Sequence, residues 1–405
     1  MSIEIQPLET DDQLRETTPK RAPEINNPKI GLATRLFNEG HINIDEAAHL
    51  TGEEPENLEK HFTEKGILPR KKVLVCGGAG FIGSNFVHYM LEKYPYYEVV
   101  VYDKLTYAGN LENLRNVEKS PRYKFIKGDI ADAQKVDKVV KEENIDYVVN
   151  FAAETHVTRS LLFDAGEFVR TNVLGTHSIL EAVKNNNHVE RFVHVSTDEV
   201  YGSLSLESTE SFHEEWPFQP NVPYAAAKAG GDHLCRAYHN SYKVPVIVTH
   251  CSNNYGPFQH PEKLIPNALF RALRNQPITL HGNGQHVRDW IFVRDHCEAL
   301  DLILHKGTVG DVYNIGADEE KNTHEIAKTV LRSLGKPENL VTLVDDRPGN
   351  DLRYSLNAGK IKEELGWDTS TSFEEGIALT IQWYQNNLTW VDAIRERDKE
   401  FSKYI

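Results

Sequence analysis

Long apolar runs are missing from this 405-residue chain, and no stretch approaches the ~20 residues that a membrane-spanning helix requires. An excess of basic charge is missing as well. Lys and Arg number 45 against 60 Asp and Glu, a formal net charge of −15 that argues against nucleic acid or an anionic membrane as the main partner. That balance still permits an anionic small ligand, because phosphate sites are built locally from helix N-termini and a few arginines. Cysteine is scarce. Cys76, Cys235, Cys251 and Cys297 show no Cys-x-x-Cys spacing, so neither a zinc site nor a disulfide framework is indicated, and no metal is expected. The reading is a reducing, cytoplasmic setting. The first five residues lack a basic region leading into an apolar run, so no signal peptide is expected.

What is present is globular: 40% apolar and 26% charged residues, on a length that suggests two or three domains. Residues 1–28 are polar and punctuated by Pro7, Pro19, Pro23 and Pro28, and read as a disordered arm. Residues 29–69 read as three short helices. Ile30, Ala33, Leu36 and Phe37 stop at Gly40; Ala47, Ala48 and Leu50 stop at Gly52; Leu58 and Phe62 stop at Gly66. The segment resembles a small helix-turn-helix-like module. Its acidic balance and the five glutamates between Gly52 and Gly66 argue against DNA, and favour an oligomerisation or accessory role.

From Lys71 the pattern changes to short β-branched runs alternating with helical stretches. Residues 73–76, 99–102, 123–126, 147–150, 191–195 and 246–249 read as strands of an α/β, doubly wound parallel sheet. This core is expected over 71–251, with return segments near 290–316 (residues 290–293 and 312–315 rejoining the sheet). Residues 252–405 are expected to form mainly a smaller α/β substrate lobe.

Gly77-Gly-Ala-Gly80-Phe-Ile-Gly83 directly follows the first strand and opens a helix, as a turn that cradles a pyrophosphate must. Asp103 ends the second strand, where a carboxylate grips a ribose diol and repels a 2′-phosphate, so NAD is favoured over NADP. Asp129 and Ile130 follow the third strand, and Ala152, Ala153 and Glu154 the fourth, at the strand ends where such Rossmann sheets bind ligands.

The second informative cluster is Ser196-Thr197-Asp198-Glu199 with Tyr224-x-x-x-Lys228. On a helix, Tyr224 and Lys228 lie one turn apart on one face, and an ammonium near a phenol favours the phenolate. Two adjacent carboxyl groups divide acid and base labour when their environments differ. A simple dehydrogenase needs only the first device.

The Ser/Thr, Tyr, Lys trio resembles that of the extended short-chain dehydrogenase/reductase family, from Lys71 to about Asn387. Within it the chain is most similar to nucleotide-sugar 4,6-dehydratases of the dTDP-glucose kind. The motifs are GGAGFIGSNF, YDKLTYAGN, GDI, AAETHVTRS, TNVLGT, STDEVYG, YAAAKAGGDHL, SNNYGPFQHPEKLIP, RDWIFVRDH, YNIG and DRPGND. Thr158 and Ala227 stand where the family usually has Asp and Ser, outside the proton and hydride path. The resemblance implies NAD held by Gly77, Gly80, Phe81, Ile82, Gly83, Asp103, Lys104, Asp129, Ile130, Ala152, Ala153, Thr171, Tyr224, Lys228 and Asn254. It implies a nucleotide-sugar substrate, dTDP- or UDP-glucose, held by Thr155, Thr197, Asn253, Lys263, Leu264, Arg288, Asn322 and Arg347.

The catalytic set implied is Thr197, Asp198, Glu199, Tyr224 and Lys228. Tyr224 takes the 4-hydroxyl proton as the C4 hydride passes to NAD, Glu199 removes the C5 proton, Asp198 protonates the departing 6-hydroxyl, and the hydride returns to C6. A homodimer is the family's usual assembly. A 4-epimerase or decarboxylase would have no use for Asp198 and Glu199, and a non-catalytic NAD-binding regulator would have no use for any proton-transfer group.

Overall fold

The computed structural model describes residues 27–38, 42, 44–65 and 70–398, which fall into two compact units, Met1–Arg70 and Lys71–Ile405. Residues 1–26 of the expected arm, and Gly40 and Gly66 as helix stops, lie outside the described residues.

In the larger unit, β1 (Lys72–Cys76) and β2 (Glu98–Asp103) are almost wholly buried, as near-continuous β-branched runs require when helices cover both faces of a parallel sheet. Alternate residues divide between the two layers. Val73, Val75, Val99 and Val101 enter one apolar cluster, and Leu74, Cys76, Val100 and Tyr102 the other. The remaining strands are β3 (Tyr123–Lys127), β4 (Tyr147–Asn150), β5 (Arg191–Thr197), β6 (Val246–Cys251), β7 (Asn253–Tyr255), β8 (Ile278–His281), β9 (Val287–Phe292), β10 (Val312–Ile315), β11 (Glu320–Asn322) and β12 (Val341–Val344).

Seven of them form one sheet in the order β10-β6-β5-β4-β1-β2-β3, with every pairing parallel. Strand order reverses between β1 and β4, which opens a crevice at their C-terminal ends. The six runs expected from Lys71 onward all lie inside these strands.

One expectation fails. Residues 290–293 do not rejoin the main sheet, although 312–315 do. β10 takes the edge position beside β6, and β9 instead pairs parallel to β7 and antiparallel to β11 in a separate three-stranded sheet. The carboxylate of Asp289 in β9 secures that arrangement by accepting from the N–H groups of Ala317 (2.9 Å) and Glu319 (2.8 Å). With the β8–β12 pair and the helices Leu264–Leu273, Thr323–Ser333 and Phe373–Asn386, this sheet encloses its own core, including Leu269, Trp290, Ile326 and Phe373.

The smaller unit holds helices Ile30–Asn38, Ile44–Thr51 and Pro55–Glu64, packed on Ile30, Ala33, Ala47, Ala48, Leu58 and Phe62. Gly52, at φ +75°, ends the second helix in the left-handed conformation that favours glycine. No described helix is long and apolar enough to cross a membrane.

Candidate active site

The crevice at the strand reversal is walled by the ends of β1, β2, β4, β5 and β6. At β1, two glycines are required by close approach. A Cβ on Gly77 would lie 2.5 Å from the backbone nitrogen of Ala152, and one on Gly83 would lie 2.3 Å from the carbonyl oxygen of Gly77. The helix Phe81–Lys93 starts at this turn with Gly80 at its N-cap and no side chain capping it. Its first N–H groups are therefore available to an anion.

At β2, the Asp103 carboxylate accepts from Ala79 N–H (3.0 Å) and Leu105 N–H (2.7 Å). A carboxylate has about four lone-pair sites, so capacity remains for a ribose diol. Lys104 Nζ lies 3.0 Å from Asp129, and Arg170 Nη2 donates to the same oxygen at 2.9 Å. Partial burial works against ionisation of Asp129, yet the Ala131 N–H and these two cations hold its carboxyl below the usual range. Ile130, Ala152, Ala153 and Thr171 complete this wall, with Thr171 on a π-helical turn, Val169–Gly175, set within a longer helical run. Bare glycines, an uncapped helix start and a carboxylate with spare acceptor capacity fit a dinucleotide.

The far wall of the same cavity includes Trp390 and Ile394 from the helix Leu388–Arg397. Trp390 Nε1 donates to Asn113 Oδ1 (3.0 Å), and Asn113 Nδ2 donates to the carbonyl of Ala79 inside the glycine turn (3.0 Å). Arg397 Nη2 donates to the Tyr107 carbonyl at 2.6 Å.

Thr197 ends β5, and Asp198 and Glu199 begin the short 3-10 turn that follows. Thr197 Oγ1 donates to Asp198 Oδ1 at 3.2 Å. Asp198 is buried and its carboxyl is pushed well up, first by burial and then by the charge of Glu199. Glu199 is also raised by burial, but Arg347, Arg288 and Lys263 pull it back. Both carboxyls are thus raised, Asp198 well above its ordinary value and Glu199 less far because three cations oppose its burial.

Tyr224 and Lys228 lie on the helix Pro223–Tyr242, which begins with Pro at N1, as Asn221-Val-Pro223 predicts. The expectation that the ammonium lowers the phenol is not met. Burial and the charge of Glu199 push Tyr224 up, opposed by a hydrogen bond with Thr197, while Lys228 Nζ donates to the Val195 carbonyl at 2.6 Å.

Thr155, Asn253, Asn254 and Lys263 also line the cavity. Asn254 is oriented by neighbours, its Nδ2 donating to the Ser252 carbonyl (3.0 Å) and its Oδ1 facing His296 Nδ1 (2.8 Å). Four expected residues lie outside the cavity wall: Leu264, Arg288, Asn322 and Arg347. The two arginines still act on Glu199 electrostatically, and Asn350 Oδ1 accepts from both, at 3.4 Å from Arg288 Nη2 and 3.2 Å from Arg347 Nε. Leu264 is the first residue of its helix.

Asn322 is the N-cap of Thr323–Ser333: its Oδ1 accepts from Glu325 N–H, and its backbone N–H donates to the Glu325 carboxylate.

Sequence reasoning missed Trp390, Asn350 and the buried group of Tyr107, His260 and Glu262. His260, Glu262 and Asp398 bring ligand atoms within 4.8 Å of one another, but Arg159 Nη2 lies 2.7 Å from Asp398 and its guanidinium stacks on Tyr107, so a cation of the chain already serves them.

The sequence model of the GDP-mannose 4,6-dehydratase family matches residues 74–380. A dTDP-glucose 4,6-dehydratase of Xanthomonas campestris pv. campestris is 47% identical over 338 residues, covering 79% of this chain and 95% of that protein. A trifunctional plant protein of Arabidopsis thaliana, with UDP-glucose 4,6-dehydratase among its activities, is 44% identical over 79% of this chain and 48% of its own length. The crystal structure of a Streptomyces venezuelae dTDP-glucose 4,6-dehydratase with NAD and TYD bound superposes with a TM-score of 0.77 at 46% identity, covering 80% of this chain and 99% of that one. With the glycine turn, the Tyr/Lys helix and the adjacent Asp198 and Glu199 at the ends of one parallel sheet, this chain belongs to the nucleotide-sugar 4,6-dehydratases of the extended short-chain dehydrogenase/reductase family.

Proposed function

We infer that this chain dehydrates a nucleoside-diphosphate glucose, dTDP-glucose or UDP-glucose, to the 4-keto-6-deoxy sugar. The observation that carries the reading is the pair Asp198 and Glu199, adjacent and unequally raised, directly after Thr197 and lining one cavity with Tyr224. Bound NAD supplies the acceptor and later the donor of one hydride, so the net change is loss of water.

Thr197 holds the sugar 4-oxygen while Tyr224 takes its proton. The ketone so formed acidifies the C5–H, which Glu199 removes as base. Asp198, protonated, gives its proton to the 6-oxygen as it leaves. Elimination requires that these two groups differ in protonation, and their surroundings supply the difference. Lys263, Arg288 and Arg347 converge on Glu199 and suit the charge of a diphosphate. Thr155 and Asn253 are assigned to the sugar, and Asn254 to the cofactor.

Purified protein incubated with each sugar nucleotide tests this. The alkali-sensitive chromophore of the 4-keto-6-deoxy product is expected, and its relative rate with the two nucleotides identifies the base. No product from either one, with NAD bound, would remove the reading. The net charge of −15 and the four free, buried cysteines support a reducing, cytoplasmic setting without nucleic acid. A homodimer is supported by the exposed apolar residues Val169 (53%) and Leu174 (46%) on the helical run packed against the Tyr/Lys helix. The three-helix unit is read as accessory, with 71–251 as the main cofactor region and 252–405 mainly the substrate lobe.

A further inference from the structure

We propose that Asp232 is a positioning residue for the acid–base pair: its carboxylate stands as the counter-charge one helical turn from Lys228 and, through Ser196, clamps the end of β5 to the helix that carries Tyr224. Asp232 lies one turn beyond Lys228, on the same face of that helix. Both side chains grip the strand. Lys228 Nζ donates to the Val195 carbonyl at 2.6 Å, and Ser196 Oγ donates to Asp232 Oδ2 at 2.8 Å. Two consecutive strand residues are thus tied to two consecutive helical turns, and the next residue along the strand is Thr197. Gly231, beside Asp232, lets the other side of the helix approach the π-helical turn, since a Cβ there would lie 2.8 Å from the Asn172 carbonyl oxygen.

The charge argument is independent of the clamp. Lys228 is buried, and the hydrogen bond from its Nζ goes to a neutral carbonyl. Burial weakens its hold on the proton. Asp232 is the largest opposing influence, ahead of Cys251 and Cys235.

Around Asp232 stand Lys228 and Cys235 on its own helix, His194 on β5 (Nε2 3.4 Å from Oδ1) and His250 on β6 (Nε2 3.3 Å from Oδ2). His250 Nδ1 in turn lies 2.7 Å from the hydroxyl of Tyr201. Burial works against a charge on Asp232, yet these two imidazoles hold its carboxyl well below the ordinary range, so it stays an anion at working pH. A buried ammonium without an anion nearby releases its proton rather than stay charged.

The proposal rests on the reading of Tyr224 and Lys228 as the acid–base pair, so its test reads Lys228 directly as well as turnover. Asp232→Asn removes the charge and keeps the shape. In the full-length protein with isotope-labelled lysine, NMR is expected to show Lys228 losing its proton at least about one pH unit lower than in the parent, with kcat down about tenfold or more and KM within about twofold. Ser196→Ala removes only the clamp, and is expected to lower kcat while leaving the Lys228 titration in place. An unmoved Lys228 titration in D232N overturns the proposal even if turnover falls. Should D232N not fold, S196A decides alone, and an unchanged kcat overturns the clamp. Parent protein that converts neither sugar nucleotide would sink the dehydratase reading, whereas the Lys228 shift in D232N would still stand as evidence for the counter-charge.

Discussion

The hydroxyl of Thr197 donates to Oδ1 of Asp198 and leaves Oδ2, which is buried, without a hydrogen-bond partner among the described residues. Orphaned buried carboxylate oxygens are costly unless protonated or matched by a ligand. Burial raises the Asp198 carboxyl, and its open oxygen faces no donor among the described residues. Glu199, one residue on, keeps three cations in its surroundings. The acid and the base of the elimination are thus distinguished by neighbours rather than by residue type.

Glu199→Gln separates the two halves of the reaction. An amide cannot take the C5 proton, so product formation is expected to fall by about a hundredfold or more. The absorbance of reduced nicotinamide should still develop on mixing with substrate, since Tyr224 and Thr197 remain. The charge of Glu199 also raises Tyr224, so removing it should move the acid limb of hydride transfer to lower pH. Stopped-flow absorbance across pH reads both effects, and loss of the absorbance change would reassign Glu199 to the first step.

Gly77→Ala should disable cofactor binding while leaving the sheet. The added Cβ meets backbone at 2.5 Å, and the residue sits at φ +75°, where a side chain costs about 1 kcal/mol or more even without the clash. Dinucleotide retained through gel filtration should drop to background, with far-ultraviolet circular dichroism unchanged.

Leu174→Glu tests the dimer. A charge on this exposed apolar face should lower the sedimenting mass to that of a monomer at micromolar concentration, since a buried unpaired carboxylate is strongly unfavourable in an interface. An unchanged mass would place any dimer contact elsewhere.

His296 provides a pH prediction. Its ring is buried against Asn254, and burial pushes it from its ordinary 6.5 to about 3. The fold therefore prefers the neutral ring, and its contribution is complete above about pH 6.5 and is lost as pH falls toward about 3. Thermal melting temperature should decline over that window, and His296→Gln should flatten part of the decline.

Much of this molecule was legible in its residues. The runs between Val73 and Thr249 all became strands, and β1, β2, β4, β5 and β6 are buried on both faces, which leaves little choice of residue. The glycine turn was legible for a similar reason: Gly77 and Gly83 tolerate no Cβ. What depended on distant partners was not. Residues 290–293 look like any other strand, and their pairing with β7 rather than with the main sheet, whose edge beside β6 is taken by β10, is set by residues far away in sequence. Trp390 is 277 residues from the Asn113 amide it reaches. The cap at Asn322 was legible too, since Asn-x-x-Glu before an apolar helical pattern is a capping signature.

The helix Leu388–Arg397 has a consequence in time. The glycine turn at Gly77 belongs to the first strand–helix unit of the larger fold, yet Trp390, which steadies it through Asn113, belongs to the last helix described. A chain still being synthesised thus holds the phosphate cradle long before it holds the wall that closes over it. The last described helix thus completes a wall whose glycine turn lies about three hundred residues earlier, so the two can meet only after the chain between them has been made.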